Sequence, residues 1–278
     1  MPIIVKQLSY SYNIGLPTEQ RALSEISFEA AEGEIISILG HTGSGKSTLA
    51  QHLNGLIIPQ SGSVTVDGLQ SGAASARQIR KKVGLVFQYP EEQIFAENVE
   101  EEIAFAPRNW GVEETEIKKR VKTAAATVGL DEKLLSASPF NLSGGQKRKV
   151  AIASVISALP TYLVLDEPTA GLDSGAAAEL TSTLKKFASQ GMGIIHITHD
   201  IELALSISTK ILLLEQGRAV SWKNARETAE LLALQKIRGL VTPEILELSR
   251  RLKEAGKIKK ILWDAEELLK EIKNASLR

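Results

Sequence analysis

Gly40-His41-Thr42-Gly43-Ser44-Gly45-Lys46-Ser47 is the stretch on which the reading of this chain turns. Before it stands Glu34-Ile35-Ile36-Ser37-Ile38-Leu39, which reads as a short buried strand, and Lys46 to Gly55 reads as a helix closed by a glycine. Glycines between a strand and a helix are the context that the G-x-x-x-x-G-K-[ST] pattern requires. Gly40, Gly43 and Gly45 let the backbone turn sharply and aim its N–H groups inward, and the following helix adds its positive N-terminal end. A polyanion fits such a cradle. Lys46 is expected to reach β- and γ-phosphate oxygens as a point charge, with the Ser47 hydroxyl on the Mg²⁺ that bridges them. Alone, this loop leaves kinases, GTPases and many ATPases open.

Tyr162-Leu163-Val164-Leu165-Asp166-Glu167 narrows the choice. An apolar strand running into two carboxylates puts Asp166 at the strand's C-terminal end near a metal, while Glu167 points elsewhere and can polarise an attacking water. An ordinary solvated strand end has the same pattern. Ile194-Ile195-His196-Ile197-Thr198-His199-Asp200 repeats the arrangement and delivers His199 to the same edge of the sheet, where a lone histidine is also compatible with a structural role. Ser143-Gly144-Gly145-Gln146 has capping-box spacing and opens a helix running through Val150, Ala153 and Ile156. Two glycines beside an N-cap serine leave N–H groups approachable, as at an anion site, although a plain helix start reads identically.

These motifs, in this order, resemble the ATP-binding subunits of ABC transporters over roughly the first four-fifths of the chain. The resemblance implies that Tyr12 stacks on adenine, that Gly40 to Thr48 are the Walker A loop, and that Gln88 is the Q-loop glutamine. It makes Leu142 to Gln146 the signature, Asp166 and Glu167 the Walker B pair, Ala170-Gly171-Leu172-Asp173 the D-loop, and His199 the switch histidine. It further implies ATP and Mg²⁺ as cofactors, the metal held by Ser47, Gln88 and Asp166. Catalysis falls to Glu167 with His199 and Gln88. Ser143, Gly144, Gly145 and Gln146 face the ATP of a second subunit, so two ATP molecules lie in a head-to-tail dimer.

A finer resemblance is to the energy-coupling-factor importers of vitamins and cobalt or nickel. Tyr89-Pro90-Glu91-Glu92-Gln93-Ile94-Phe95 is similar to the extra Q-helix segment of that group, and Val150 to Ile156 lacks the arginine that many other ABC ATPases carry near Ser154. The long loop Asn13 to Arg21 and a helical C-terminal extension agree. This implies a second ATPase subunit, identical or related, a transmembrane transport subunit, and a substrate-binding membrane subunit. The expected location is the cytoplasmic face of the cell membrane.

Composition is compatible with this reading. With 278 residues, 43% hydrophobic and 24% charged, the chain is long enough for one large α/β domain and a small second one. Zero formal net charge gives no argument for nucleic acid as a partner, and the lack of cysteine excludes disulfides and thiol metal sites. Ile3-Ile4-Val5 is too short for a signal peptide, and no stretch approaches the roughly 18 apolar residues of a spanning helix.

The expected architecture is α/β: a P-loop core with a parallel sheet, a β-rich flank from Ile3 to Asp67, and a helical lobe over about 94–159. The ATPase domain spans 1–224, with strands at Gly62 to Gly68 and Val83 to Gln88 and a hairpin turn at Gln216-Gly217. A helical dimerisation extension over 225–278 follows. There, Thr242-Pro243 reads as a helix start with Pro at the first helical position, and Ile245, Leu248 and Leu252 form one face. Asp264 to Glu267 reads as a second capping box ahead of Ala265, Leu268, Leu269 and Ile272. These stripes suit either the chain's own core or a dimer contact. Finally, Glu91, Glu92, Glu97, Glu100, Glu101 and Glu102, interleaved with Ile94, Phe95, Val99 and Ile103, predict an acidic rim around an apolar floor. Such a groove suits a basic amphipathic helix, while a solvated acidic face remains the alternative.

Overall fold

The computed structural model describes residues 1–276. In chain order the first elements are β1 (Ile3–Tyr12), β2 (Gln20–Ala30), β3 (Ile35–Leu39), α1 (Lys46–Leu53), β4 (Ser61–Val66), β5 (Leu69–Gln70), α2 (Ala76–Lys82) and β6 (Val83–Val86). The lobe follows with α3 (Val99–Asn109), α4 (Glu114–Thr127) and α5 (Gly144–Ile156). Then come β7 (Tyr162–Asp166), α6 (Ser174–Ser189), β8 (Gly193–Thr198), α7 (Ile201–Ile207), β9 (Lys210–Glu215) and β10 (Arg218–Asn224). The chain continues through α8 (Ala225–Leu234), α9 (Glu244–Glu254) and α10 (Ala265–Ser276).

The sheet order β10-β9-β3-β8-β7-β6 is parallel apart from the β10 hairpin strand at one edge. β3, β7 and β8 are buried at every residue, as parallel strands covered on both faces must be. Their alternate side chains serve different layers. Tyr162 and Val164 join Ile36, Ile38, α1 and the antiparallel β2-β1-β4-β5 sheet. Leu163 and Leu165 face α3, α4, α5 and α6. β2 alternates buried and exposed positions from Ser24 onward, the signature of a sheet packed on one side. The expected parallel core, β-rich flank and helical lobe are all present.

Some expectations are corrected. β6 ends at Val86 rather than Gln88, because pairing with β7 stops at Val86–Leu165 and the next residues leave the sheet. Pro243 is the residue before α9, not its first: its carbonyl accepts from the Leu246 N–H at 3.0 Å while its own ψ of 140° stays extended. On α9 Leu246 and Ser249 are buried, Ile245 and Leu252 of the expected stripe pack half-buried against Ile258, Leu262 and Leu268, and Leu248 is 49% exposed. On α10 Leu268 is buried and Leu269 is 57% exposed, and Asp264 caps the helix by accepting from Glu267 N–H at 2.9 Å. Nor is residue 225 a packing boundary. Ala229, Leu232, Leu246 and Ile261 share one apolar cluster with Leu39, Ile211 and Leu213 of the central sheet. Among the described residues Ile258, Leu262 and Leu268 form a separate small cluster, with Ile245, Leu252 and Ile272 packed against it.

The acidic groove is also different from expectation. Val99 and Ile103 are fully buried on the inner face of α3 and do not line the groove. Glu102 is buried, its carboxylate accepting from Phe95 and Ala96 N–H at 3.0 and 2.9 Å, so it pins the preceding loop. Glu91 is ion-paired with Arg148. A groove of about 340 Å³ nevertheless exists between α2, β6 and the lobe, and Phe87, Phe95, Phe105, Trp110 and Val155 supply its apolar lining.

Candidate active site

β3 and α1 hold the phosphate loop from both ends, and its neighbours dictate where glycine stands. A Cβ on Gly45 would lie 2.5 Å from the Ala22 carbonyl oxygen, and one on Gly40 would lie 2.5 Å from that of Leu214. Gly45 is moreover left-handed at φ 102°, turning the chain into α1. Lys46 is buried, and its Nζ donates to the Gly40 and His41 carbonyls at 2.7 and 3.0 Å. Burial pushes its pKa down, while Glu167 and Asp166 oppose the shift. The ammonium is thus held inside the loop, 4.0 Å from a Glu167 oxygen.

β7 presents Asp166 and β8 presents His199 at the same end of the sheet. Asp166 is buried, which raises its pKa, and the Ser47 hydroxyl bonded to it offsets part of that effect. Glu167 is also buried and has a left-handed φ of 49°, an uncommon conformation for a residue with a side chain. That turn aims its carboxylate away from Asp166. Both Glu167 oxygens lie 2.9 Å from His199 Nδ1, so the switch-position histidine and the carboxylate form one unit.

A cleft of about 440 Å³ collects these groups. Thr42, Gly43, Gly45, Lys46, Ser47 and Thr48 line it together with Gln88, Asp166, Glu167 and His199. Tyr12 stands at the mouth, its hydroxyl 3.2 Å from Thr48 Oγ1. Gly40, His41 and Ser44 belong to the loop but do not line the cleft. The His41 ring packs beneath Gly239, whose φ is +72° and where a Cβ would come within 2.5 Å of His41 Cβ. Ser44 offers its carbonyl to Gly217 N–H at 3.0 Å.

Leu142 to Gln146 line no part of this cleft. The expected capping box is present: Ser143 Oγ accepts from Gln146 N–H at 3.3 Å, and Gln146 Oε1 accepts from Ser143 N–H at 3.0 Å. With the cap occupied by Gln146, the first-turn N–H groups of Gly144 and Gly145 have no intrahelical acceptor. Added Cβ atoms at both glycines would meet nothing within 4 Å, so this helix end is open to an approaching body.

Gln20, Arg21, Ala22, Gln216 and Gly217 also line the cleft and were not anticipated. Gln20 and Arg21 arrive through the β1–β2 register, opposite Tyr12 and Ser11. Gly217 arrives through the β9–β10 hairpin, its carbonyl accepting from Ser24 N–H at 2.7 Å. The hairpin turn was legible, but its position over the phosphate loop depends on sheet order.

The parallel core, the loop at the N-terminus of α1, the Asp166–Glu167 pair and the lobe ending in an open capping box define a P-loop ATPase of the ATP-binding-cassette class. The family model for ABC transporters matches residues 23–170. The chain is 42% identical to the energy-coupling factor transporter ATP-binding protein EcfA2 of Clostridium tetani, covering 98% of this chain and 96% of that protein. It is 43% identical to EcfA2 of Streptococcus thermophilus, over 92% of this chain and 93% of that one. Among solved structures, cbiO1 of Clostridium perfringens, described as part of the ABC transporter complex cbiONQ, superposes with a TM-score of 0.75 at 33% identity, covering 91% and 96%. The dimeric bacterial ABC transporter cassette MJ0796 superposes with a TM-score of 0.73 at 29% identity, covering 81% and 99%. The chain belongs to the ABC transporter family, within its energy-coupling factor ATP-binding proteins. It is an ATPase.

Proposed function

We propose that this chain hydrolyses ATP in a head-to-tail dimer and drives uptake of a vitamin or transition-metal ion through separate membrane subunits. The observation that carries the dimer is the split site. The cleft holds the phosphate loop, Asp166, Glu167 and His199, while the open helix end at Gly144 and Gly145 lies elsewhere on the same chain. A second copy, or a related ATPase, brings that helix end to the γ-phosphate, where its free N–H groups and dipole favour negative charge. Among the described residues no helix is long and apolar enough to cross a membrane, so coupling passes through other polypeptides. We assign the chain to the cytoplasmic face as a peripheral subunit. The aromatic groove beside Phe105 and Trp110 seats a helix of the transmembrane subunit, and the substrate is held by a further membrane subunit.

In the proposed reaction Tyr12 stacks on the adenine and Lys46 exchanges the Gly40 and His41 carbonyls for β- and γ-phosphate oxygens. Glu167 orients the attacking water and takes its proton, held in place by His199, and Gln88 reports the γ-phosphate to the groove. The Ser47 hydroxyl and the Asp166 carboxylate already meet in the cleft, and among the described residues no cluster of three or more His, Cys, Asp or Glu side chains that could hold a metal exists. Ser47 and Asp166, with Gln88 in the same cleft, would hold Mg²⁺, which would neutralise phosphate charge when bound. Ser143, Gly144, Gly145 and Gln146 act in trans.

Mixing Gly145→Asp and Lys46→Ala chains tests this arrangement. Each mutant homodimer lacks both sites, whereas a mixed dimer keeps one complete composite site and regains ATPase activity. A fully active Gly145→Asp homodimer would reduce the signature to a helix cap.

A further inference from the structure

Arg148, on the second turn of α5, bridges two segments that the nucleotide cleft depends on. It is only 5% exposed. One edge of its guanidinium clamps Glu91: Nη2 donates to Oε1 at 3.0 Å, and Nε and Nη2 both reach Oε2 at 3.3 Å. From the other edge, Nη1 donates to the carbonyl oxygens of Pro168 at 3.1 Å and Ala170 at 2.6 Å. Glu91 lies in a 3-10 turn, Pro90–Gln93, reached from Gln88 through the left-handed Tyr89 at φ 54°. Pro168 directly follows the left-handed Glu167, and Ala170 N–H donates back to the Glu167 carbonyl at 3.1 Å. One planar group thus joins the signature helix, the turn after Gln88 and the loop that sets the Glu167 backbone.

We propose that Arg148 is a positioning residue for ATP hydrolysis, holding the Glu167 loop in register with the signature helix and with the turn that follows Gln88. The proposal rests on Glu167 as the base. The chemistry requires arginine, because a lysine ammonium cannot clamp a carboxylate on one edge and hold two carbonyls on the other. A carboxylate at position 148 would face those two carbonyl oxygens without a donor, so exchanging the two charges cannot restore the bridge. Two strained φ values, one at each end, give the bridge something to hold: without it, either junction can relax toward ordinary backbone geometry. A buried ion pair that serves only stability predicts something else, a less stable protein whose folded fraction works normally.

Full-length Arg148→Ala, Arg148→Lys, Glu91→Ala and Glu91→Gln chains, each in the assembled ATPase dimer, separate these accounts. ATP affinity and ATPase rate are measured per nucleotide-binding site, so that unfolded material does not enter the rate. The expected result for Arg148→Ala is a kcat loss of about 10- to 100-fold with unchanged ATP affinity, the size expected for misplacing a catalytic group by an ångström or less. Arg148→Lys and Glu91→Ala should lose less, and Glu91→Gln, which keeps an acceptor oxygen, least. Adding Glu91→Ala to Arg148→Ala should cost nothing further, since both remove the same clamp. Wild-type kcat per bound nucleotide in Arg148→Ala overturns the proposal, as does an equal loss of affinity and rate. If Arg148→Ala does not fold, wild-type turnover in both Arg148→Lys and Glu91→Ala overturns it instead. Glu167→Gln runs alongside: if it turns over normally, the base assignment fails, whereas an inactive Glu167→Gln beside a normal Arg148→Ala removes Arg148 alone.

Discussion

Acid should destabilise this protein through His196. The side chain is fully buried on β8, with Nδ1 3.2 Å from Ser37 Oγ on β3, and Ser37 is in turn 2.6 Å from Ser208 Oγ. Its Nε2 is buried without a partner among the described residues, so a proton there would have no acceptor. Burial lowers its pKa from 6.5 to about 4. The unfolded chain therefore binds a proton that the folded chain refuses. The stability tied to neutral His196 is complete above pH 6.5 and drains away as pH falls toward 4. At about pH 4.5 the loss amounts to about 2.5 kcal/mol, from a pKa difference worth about 1.4 kcal/mol per unit. The assay is urea unfolding of the wild type and His196→Asn at neutral pH and near pH 4.5. Carboxylates and His52, whose pKa burial also lowers, titrate in both proteins and cancel in the difference. The variant is expected to start less stable, having lost packing, but to lose less on acidification. Identical pH dependence in the two proteins would refute the reasoning. The strands affected, β3 and β8, lead to the phosphate loop and to His199, so ATP binding should decline with the same acid limb.

Two further outcomes follow from the site. Glu167→Gln should lower turnover by about 10²- to 10⁴-fold with ATP binding intact and the ATP-bound dimer accumulating, whereas Lys46→Ala should weaken binding itself; steady-state hydrolysis and nucleotide titration distinguish the two. Gly239→Ala places a Cβ against His41 at a left-handed position, which should cost about 1–3 kcal/mol of stability and weaken ATP binding through the phosphate loop; thermal unfolding and ATP titration measure both, and unchanged affinity would mean that the loop ignores its contact with the C-terminal segment.

The motifs that were legible are those whose geometry closes within a few residues. Gly40 to Ser47 states its own turn, because glycine at the tight positions and a helix after them leave the backbone few alternatives. Ser143 and Gln146 cap α5 through bonds spanning one turn. Asp166 ends, and Glu167 follows, a strand whose unbroken apolar run suits a sheet covered on both faces. Where the reading slipped, the deciding atoms were distant in sequence. Glu91 reads as part of an acidic face until Arg148 is brought beside it. His41 reads simply as a loop residue until Gly239 is brought against its ring.

The sequence by itself determined the class of protein, the turn of the phosphate loop and the cap that opens α5, because short-range sterics and hydrogen bonds depend only on neighbours in the chain. Tertiary structure alone decided which side of each element was used. It buried Leu246 and left Leu248 exposed on α9, continued the core layer past residue 225, and placed Arg21 and Gly217 in the cleft. Those outcomes depend on strand register and layer packing, in which side chains far apart in sequence compete for the same buried volume, and no local pattern records which of them wins.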